Sequence, residues 1–158
     1  MAAFQGKSVL VLGGSRGIGA AIVRRFAAEG AAVTFTYAGS RDAAERLAID
    51  TGSTAVMTDS ADRDAVIALV RDCGPLDVLG LARDFGPRGI TINIVQPGPI
   101  DTDANPEDGP MKELMHSFMA IKRHGRPEEV AGMVAWLAGA EAGFVTGAMH
   151  TIDGAFGA

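Results

Sequence analysis

"SVLVLGGSRGIGAAIVRRFAAEG", Ser8 to Gly30, decides the fold. Ser8–Leu12 is a short unbroken apolar run, the pattern of a strand buried on both faces. A glycine cluster follows. Ile18, Ala21, Ile22 and Phe26 then recur at helical spacing, and Gly30 supplies a stop. The same alternation continues along the chain. Strands are expected at Ala32–Tyr37 and Thr54–Asp59. Ser40 is placed to cap a helix that Gly52 ends. A third helix over Asp62–Gly74 turns Val66, Leu69 and Val70 inward. Strands at Leu76–Leu79 and Ile90–Val95 follow. Then come a loop rich in Pro, Gly and Asp, helices over Met111–Ala120 and Arg126–Gly139, and a short strand at His150–Asp153. Such alternation means an α/β domain built on a doubly wound parallel sheet.

The 158 residues suffice for one domain with a real core. Hydrophobic residues make up 47% and charged residues 21%, a globular balance. A net charge of −5 weighs against nucleic acid and anionic membranes as partners. The one cysteine, Cys73, has no internal partner, which fits a reducing compartment. No apolar stretch approaches the roughly 20 residues of a membrane span. Val9–Leu12 is too short for a signal peptide. A soluble, cytoplasmic protein is expected.

"GGSRGIG" (Gly13–Gly19) stands between the first strand and the first helix. Glycines there let backbone approach a diphosphate, whose charge faces the helix N-terminus. The spacing Gly13-x-x-x-Gly17-x-Gly19 is neither the commonest dinucleotide fingerprint nor a P-loop. A simple turn leading into a helix is the alternative. An NAD site usually places an acid near the end of the second strand. Here "TYAGSR" has no acid before Asp42, and Ser40, Arg41 and Arg16 supply donors and positive charge. That favours a 2′-phosphate, hence NADP(H). Asp59 would accept from an adenine amino group or, equally, close a turn at the strand end.

With these residues in place the chain resembles the short-chain dehydrogenase/reductases. The resemblance rests on "LGGSRGIG", "LARDFGPRGITINIVQPGPIDT" (Leu81–Thr102), "RHGRPEEVAGMVAWLAG" (Arg123–Gly139) and "FVTGAMHTIDG" (Phe144–Gly154). It implies a Rossmann-type fold. It also implies that Gly13, Ser15, Arg16, Gly17, Ile18 and Gly19 hold the diphosphate and ribose. Tyr37, Ser40 and Arg41 would surround the 2′-phosphate, and Asp59 and Ser60 would face the adenine. Pro97, Gly98, Ile100 and Thr102 would hold the nicotinamide. Leu12 stands where the family usually has Thr.

Between "LDVL" (Leu76–Leu79) and "ITINIV" (Ile90–Val95) lie only ten residues, Gly80–Gly89. Parallel strands need a crossover of a dozen or more. In the family this place holds a long helix, a strand ending near the catalytic Ser, and a helix carrying Tyr-x-x-x-Lys. Only the tail of that last helix, "GLARDFGPRG", matches. One central strand and most of two helices, on the order of 60 to 80 residues at typical element lengths, have no counterpart. The only tyrosine is Tyr37, and none of Lys7, Lys112 and Lys122 lies four residues after it. No catalytic residue is therefore assigned. The short seam leads to two alternative expectations: either Leu79 and Gly80 are not neighbours in space, or another chain, as in a homo-oligomer, covers the face bearing Val78, Ile92 and Ile94.

Met111, Met115 and Met119, with Leu114 and Phe118, form an apolar stripe that reads as a core or lid face. His116, His124 and His150 lack metal-ligand spacing, so no metal site is assigned. Two functions compete. One is an NADP(H)-dependent oxidoreductase for a carbonyl or alcohol substrate. The other is a non-catalytic nucleotide-binding regulator. It would take cyclic di-GMP and promote biofilm dispersal, because "YAGSRDAAERLA", "TDSADRDAV" and "HSFMAIKRHG" look most like one bacterial family member with that role.

Overall fold

The computed structural model of the chain describes residues 2–73 and 89–157. It forms two compact units, Met1–Gly80 and Leu81–Ala158. The expected strand Leu76–Leu79, the half-helix Leu81–Phe85 and the Leu79–Gly80 junction lie outside the described residues.

In the first unit, β1 (Ser8–Val11), β2 (Ala32–Tyr37) and β3 (Thr54–Met57) form a parallel sheet in that order. Ser8 pairs with Ala32 and Thr34 with Thr54. Helices α1 (Gly17–Ala28) and α2 (Arg41–Thr51) make the crossovers, and α3 (Arg63–Asp72) follows β3. β2 is the middle strand, so Val33, Phe35, Thr36 and Tyr37 are all buried. β3 is the outer strand among the described residues, and Met57 is 68% exposed. The inward face of α1 departs from its expected stripe. Ala20, Ala21, Val23 and Phe26 are buried, whereas Ile18 and Ile22 are half-buried. Phe4 stacks on Phe26 at 4.7 Å between ring centres, which pulls the helix face toward the N-terminal turn. Gly52 ends α2 in the left-handed region at φ +68°. Asp62 caps α3 by accepting from Asp64 N–H and Ala65 N–H.

In the second unit, β4 (Ile94–Pro97) and β5 (Met149–Ile152) pair in parallel. α4 spans Lys112–Phe118 and α5 spans Pro127–Ala138. β4 begins four residues later than expected. Residues before it are tied to 145–148 by mixed bonds: Gly147 N–H donates to the Ile92 carbonyl at 2.6 Å, Ile92 N–H donates to Thr146 Oγ1, and Asn93 Nδ2 donates to the Val145 carbonyl. Ile100, Met119, Val130, Ala131, Ala135 and Ala142 form the buried centre. Trp136 points partly to solvent from α5. Of the methionine stripe only Met119 is buried. Phe118 is 61% exposed, so the stripe is a surface face and not core. No helix among the described residues is long and apolar enough to cross a membrane.

Candidate nucleotide-binding site

The turn from β1 into α1 is shaped by three glycines. Gly13 and Gly17 adopt positive φ (+75° and +52°), which favours glycine. Gly19 has no room for a side chain, because a Cβ there would lie 2.2 Å from the Gly13 carbonyl oxygen. The helix therefore starts against the loop backbone. The loop is fastened from β2: Gly13 N–H donates to Thr36 Oγ1 at 2.9 Å and Gly14 N–H to the Thr36 carbonyl at 2.9 Å. Gly14 lies flat on Phe35, where a Cβ would come within 2.5 Å of the Phe35 Cβ.

At the head of α1, Arg16 is extended and no side chain caps the helix; its first turn carries no acid. The free N–H groups and the positive end of the helix dipole suit an anion. Beside them opens a cleft of about 310 Å³, lined by Gly13, Ser15, Arg16, Tyr37, Ser40 and Ser60 with their neighbours. That volume lies at the low end of small-molecule sites. Ser40 occupies the N-cap of α2, yet its hydroxyl makes no capping bond. Arg41 follows on the exposed first turn. The Tyr37 hydroxyl beside the Arg41 guanidinium, together with Glu45 at 3.5 Å, holds the Arg41 pKa above its ordinary value. Asp59 closes a turn, accepting from Ala61 N–H at 2.9 Å, as its alternative reading had it.

The structure thus gathers Gly13, Ser15, Arg16, Tyr37, Ser40 and Ser60 at one cleft. Thr36 and Gly14 had been missed. A polar residue inside an apolar strand was the available signal for Thr36. Pro97, Gly98, Ile100 and Thr102 belong to the second unit. There Pro97 ends β4 and Gly98 N–H donates to the Ile152 carbonyl. Ile100 is buried and bridges Gly125, and Thr102 bridges Asn105. Gly98 passes so close to Asp153 that a Cβ would sit 2.5 Å from the Asp153 Cβ.

Two family models divide the chain. A short chain dehydrogenase model matches residues 7–80, and an enoyl-(acyl carrier protein) reductase model of the same broad family matches 78–156. The cyclic-di-GMP-binding biofilm dispersal mediator protein of Escherichia coli K12 is 53% identical over 237 positions, covering 100% of both chains. The chain belongs to the short-chain dehydrogenase/reductase family. Of those 237 positions, 158 can hold a residue of this chain, which leaves 79 (237 − 158) without one. Among solved members of the family, BdcA in complex with NADPH superimposes with a TM-score of 0.94 at 53% identity, covering 99% of this chain and 96% of that one. A Burkholderia cenocepacia short chain dehydrogenase in complex with NADP gives 0.90 at 32% identity, covering 99% and 100%. The fold is accordingly the Rossmann-type α/β fold of the short-chain dehydrogenase/reductases.

Proposed function

We propose that the β1–α1 turn binds NADP(H) in preference to NAD(H), and that the chain is an oxidoreductase scaffold for a carbonyl or alcohol substrate. The end of β2 carries this reading: Tyr37, Ser40 and Arg41 stand there with no acid before Asp42. The relatives crystallised with NADPH and NADP support it. The uncapped head of α1 and the Gly13 turn would receive the diphosphate. Arg41, steadied by Tyr37, would take the 2′-phosphate through charge-assisted hydrogen bonds. Gly98, Ile100 and Thr102 would bound the nicotinamide. The bound cofactor supplies hydride to a carbonyl carbon or takes it from an alcohol.

A proton must also move in that reaction, and these 158 residues offer no donor for it by motif. Tyr37 is the only tyrosine and stands at the end of β2, beside Arg41. We place the 79 absent positions at the junction near Leu79–Gly80, where the two family models meet. Protein of confirmed 16.3 kDa mass is expected to bind NADPH without turning over ketones. Steady NADPH oxidation with any ketone by protein of that mass would refute the assignment. In titrations of both cofactors, Arg41→Ala should weaken NADPH on the order of tenfold or more and leave NADH nearly unchanged. Equal losses would remove Arg41 from the 2′-phosphate.

The missing proton donor favours a second reading, a nucleotide-binding regulator. The E. coli relative is named for binding cyclic di-GMP, and Arg16 and Arg41 are suited to phosphodiester oxygens as well as to a phosphate. Displacement of NADPH by cyclic di-GMP would support it; binding of both without competition would move cyclic di-GMP away from the cleft. Either role is expected in a homo-oligomer, since β4 and β5 leave Ile94 and Met149 exposed.

A further inference from the structure

Three side chains that the nucleotide site does not use meet in the second unit. Glu107 lies in the acidic loop, its N–H held by Asp101 Oδ1 at 2.9 Å. His116 projects from α4, with a side chain only 11% exposed. His124 is buried in the turn before α5. His116 Nε2 and His124 Nδ1 are 3.0 Å apart, and His116 Nε2 lies 3.9 Å from Glu107 Oε1. One donor atom from each residue falls within 4.8 Å of the others. Gaps of nine and eight residues concealed the group in the sequence. His150 lies outside the group.

We propose that Glu107, His116 and His124 form a binding site for one divalent transition cation of the zinc class. Bonds of about 2.05 Å in a tetrahedron put donor atoms roughly 3.3 Å apart. The two imidazole nitrogens are already near that separation. The carboxylate lies within 4.8 Å of both ring nitrogens and needs to close on His116 by about half an ångström; the Glu107 side chain is 40% exposed, and its Oε1 already accepts from the His124 N–H at 3.3 Å. Two nitrogens and one oxygen match Zn²⁺, Co²⁺ or Ni²⁺ and not Ca²⁺ or Mg²⁺, which take oxygen. A three-ligand set leaves a position for water. In the bound form the His124 proton sits on Nε2, which is buried without a hydrogen-bond partner. Packing and not an outer acceptor then orients that ring, which places affinity below that of closed structural zinc sites. A bound cation would tie the acidic loop, α4 and the head of α5 together, and so act on the segment that follows Thr102.

The test uses the full, untagged chain. Zn²⁺ is titrated calorimetrically, and Co²⁺ is followed by its visible ligand-field band. One equivalent per chain is expected, with the band intensity of a low-coordinate site. His116→Gln and Glu107→Gln should each weaken binding by more than about tenfold, the scale on which even outer partners of a metal act. His150→Gln should leave it unchanged. Glu107→Gln sits on an exposed loop and preserves folding, which circular dichroism checks. Absence of saturable uptake by the unaltered chain overturns the site. So does uptake that survives His116→Gln, uptake indifferent to Glu107→Gln, or uptake lost in His150→Gln.

Discussion

The exits of β1 and β4 solve one steric problem by different means. Each parallel strand must leave its sheet past a crowded backbone, and each uses a glycine with no room for a Cβ: Gly19 against the Gly13 carbonyl, and Gly98 against Asp153. The first obstacle lies six residues away in the chain, the second 55. The close approach at the β1 exit is therefore local, made within one heptapeptide that Thr36 of β2 then tethers. The β4 exit depends on β5 and the turn after it, so its geometry is a property of the assembled unit. A turn shaped mainly by its own glycines can be read from their spacing; the β4 exit, shaped by a residue 55 positions on, was read only through the family resemblance.

The sharpest way to break this comparison is to fill both glycines. Gly19→Ala drives a methyl group into backbone that cannot yield. It is expected to cost about 2–3 kcal/mol and to abolish NADPH binding in a fluorescence titration. Gly98→Ala should cost a similar amount in urea unfolding while leaving the β1–α1 loop intact. Equal damage by the two to binding of adenosine 2′,5′-bisphosphate, which carries no nicotinamide, would show that the loops are not separable.

A smaller effect sharpens the local half. Thr36→Val keeps shape but removes the acceptor for Gly13 N–H. A loss of about 1–2 kcal/mol is expected, with weaker NADPH binding because the glycine turn loses its tether to β2. Unchanged affinity would mean that the glycines alone set the turn.

The smallest effect belongs to the second unit. Arg123 grips Glu129 through two bonds of 2.8 Å, and Arg126 N–H adds a third of 2.7 Å. Together they lower the Glu129 pKa from 4.5 to about 2. A depressed carboxylate contributes its stability above the unfolded value. That contribution fades as pH falls from about 4.5 to about 2. Because Glu129 is 41% exposed, solvent screening keeps it to a few degrees of Tm. Arg123→Ala should flatten this acid limb; an unaltered profile would assign the limb to other carboxylates.

The same division explains what could be read before the structure. β2 falls on its expected residues, Ala32–Tyr37, because β-branched and aromatic residues ending at the Gly39 turn favour a strand. Gly52 ends α2 as expected, since the left-handed cap is a property of one residue. β4 begins later than expected because the Asn93 and Thr146 side chains interleave with the backbone bonds before it, which no periodicity reports. In the site, the glycines were legible from their spacing, and Arg16 and Ser40 from donors and charge where an acid would otherwise stand, while Ser15 and Tyr37 came only through the family resemblance. Thr36 was not, because a hydroxyl inside a strand declares no partner. The Glu107, His116 and His124 group was hidden for the related reason that its members share no regular spacing.

The chain's only tyrosine and only tryptophan give this division an optical form. Tyr37 is buried at the end of β2 in one unit, and Trp136 lies on α5 in the other. Each unit thus carries its own chromophore, and excitation at the red edge of the absorption band addresses Trp136 alone. Heating one sample while watching both colours reports whether the units come apart as one body or as two, with no label added.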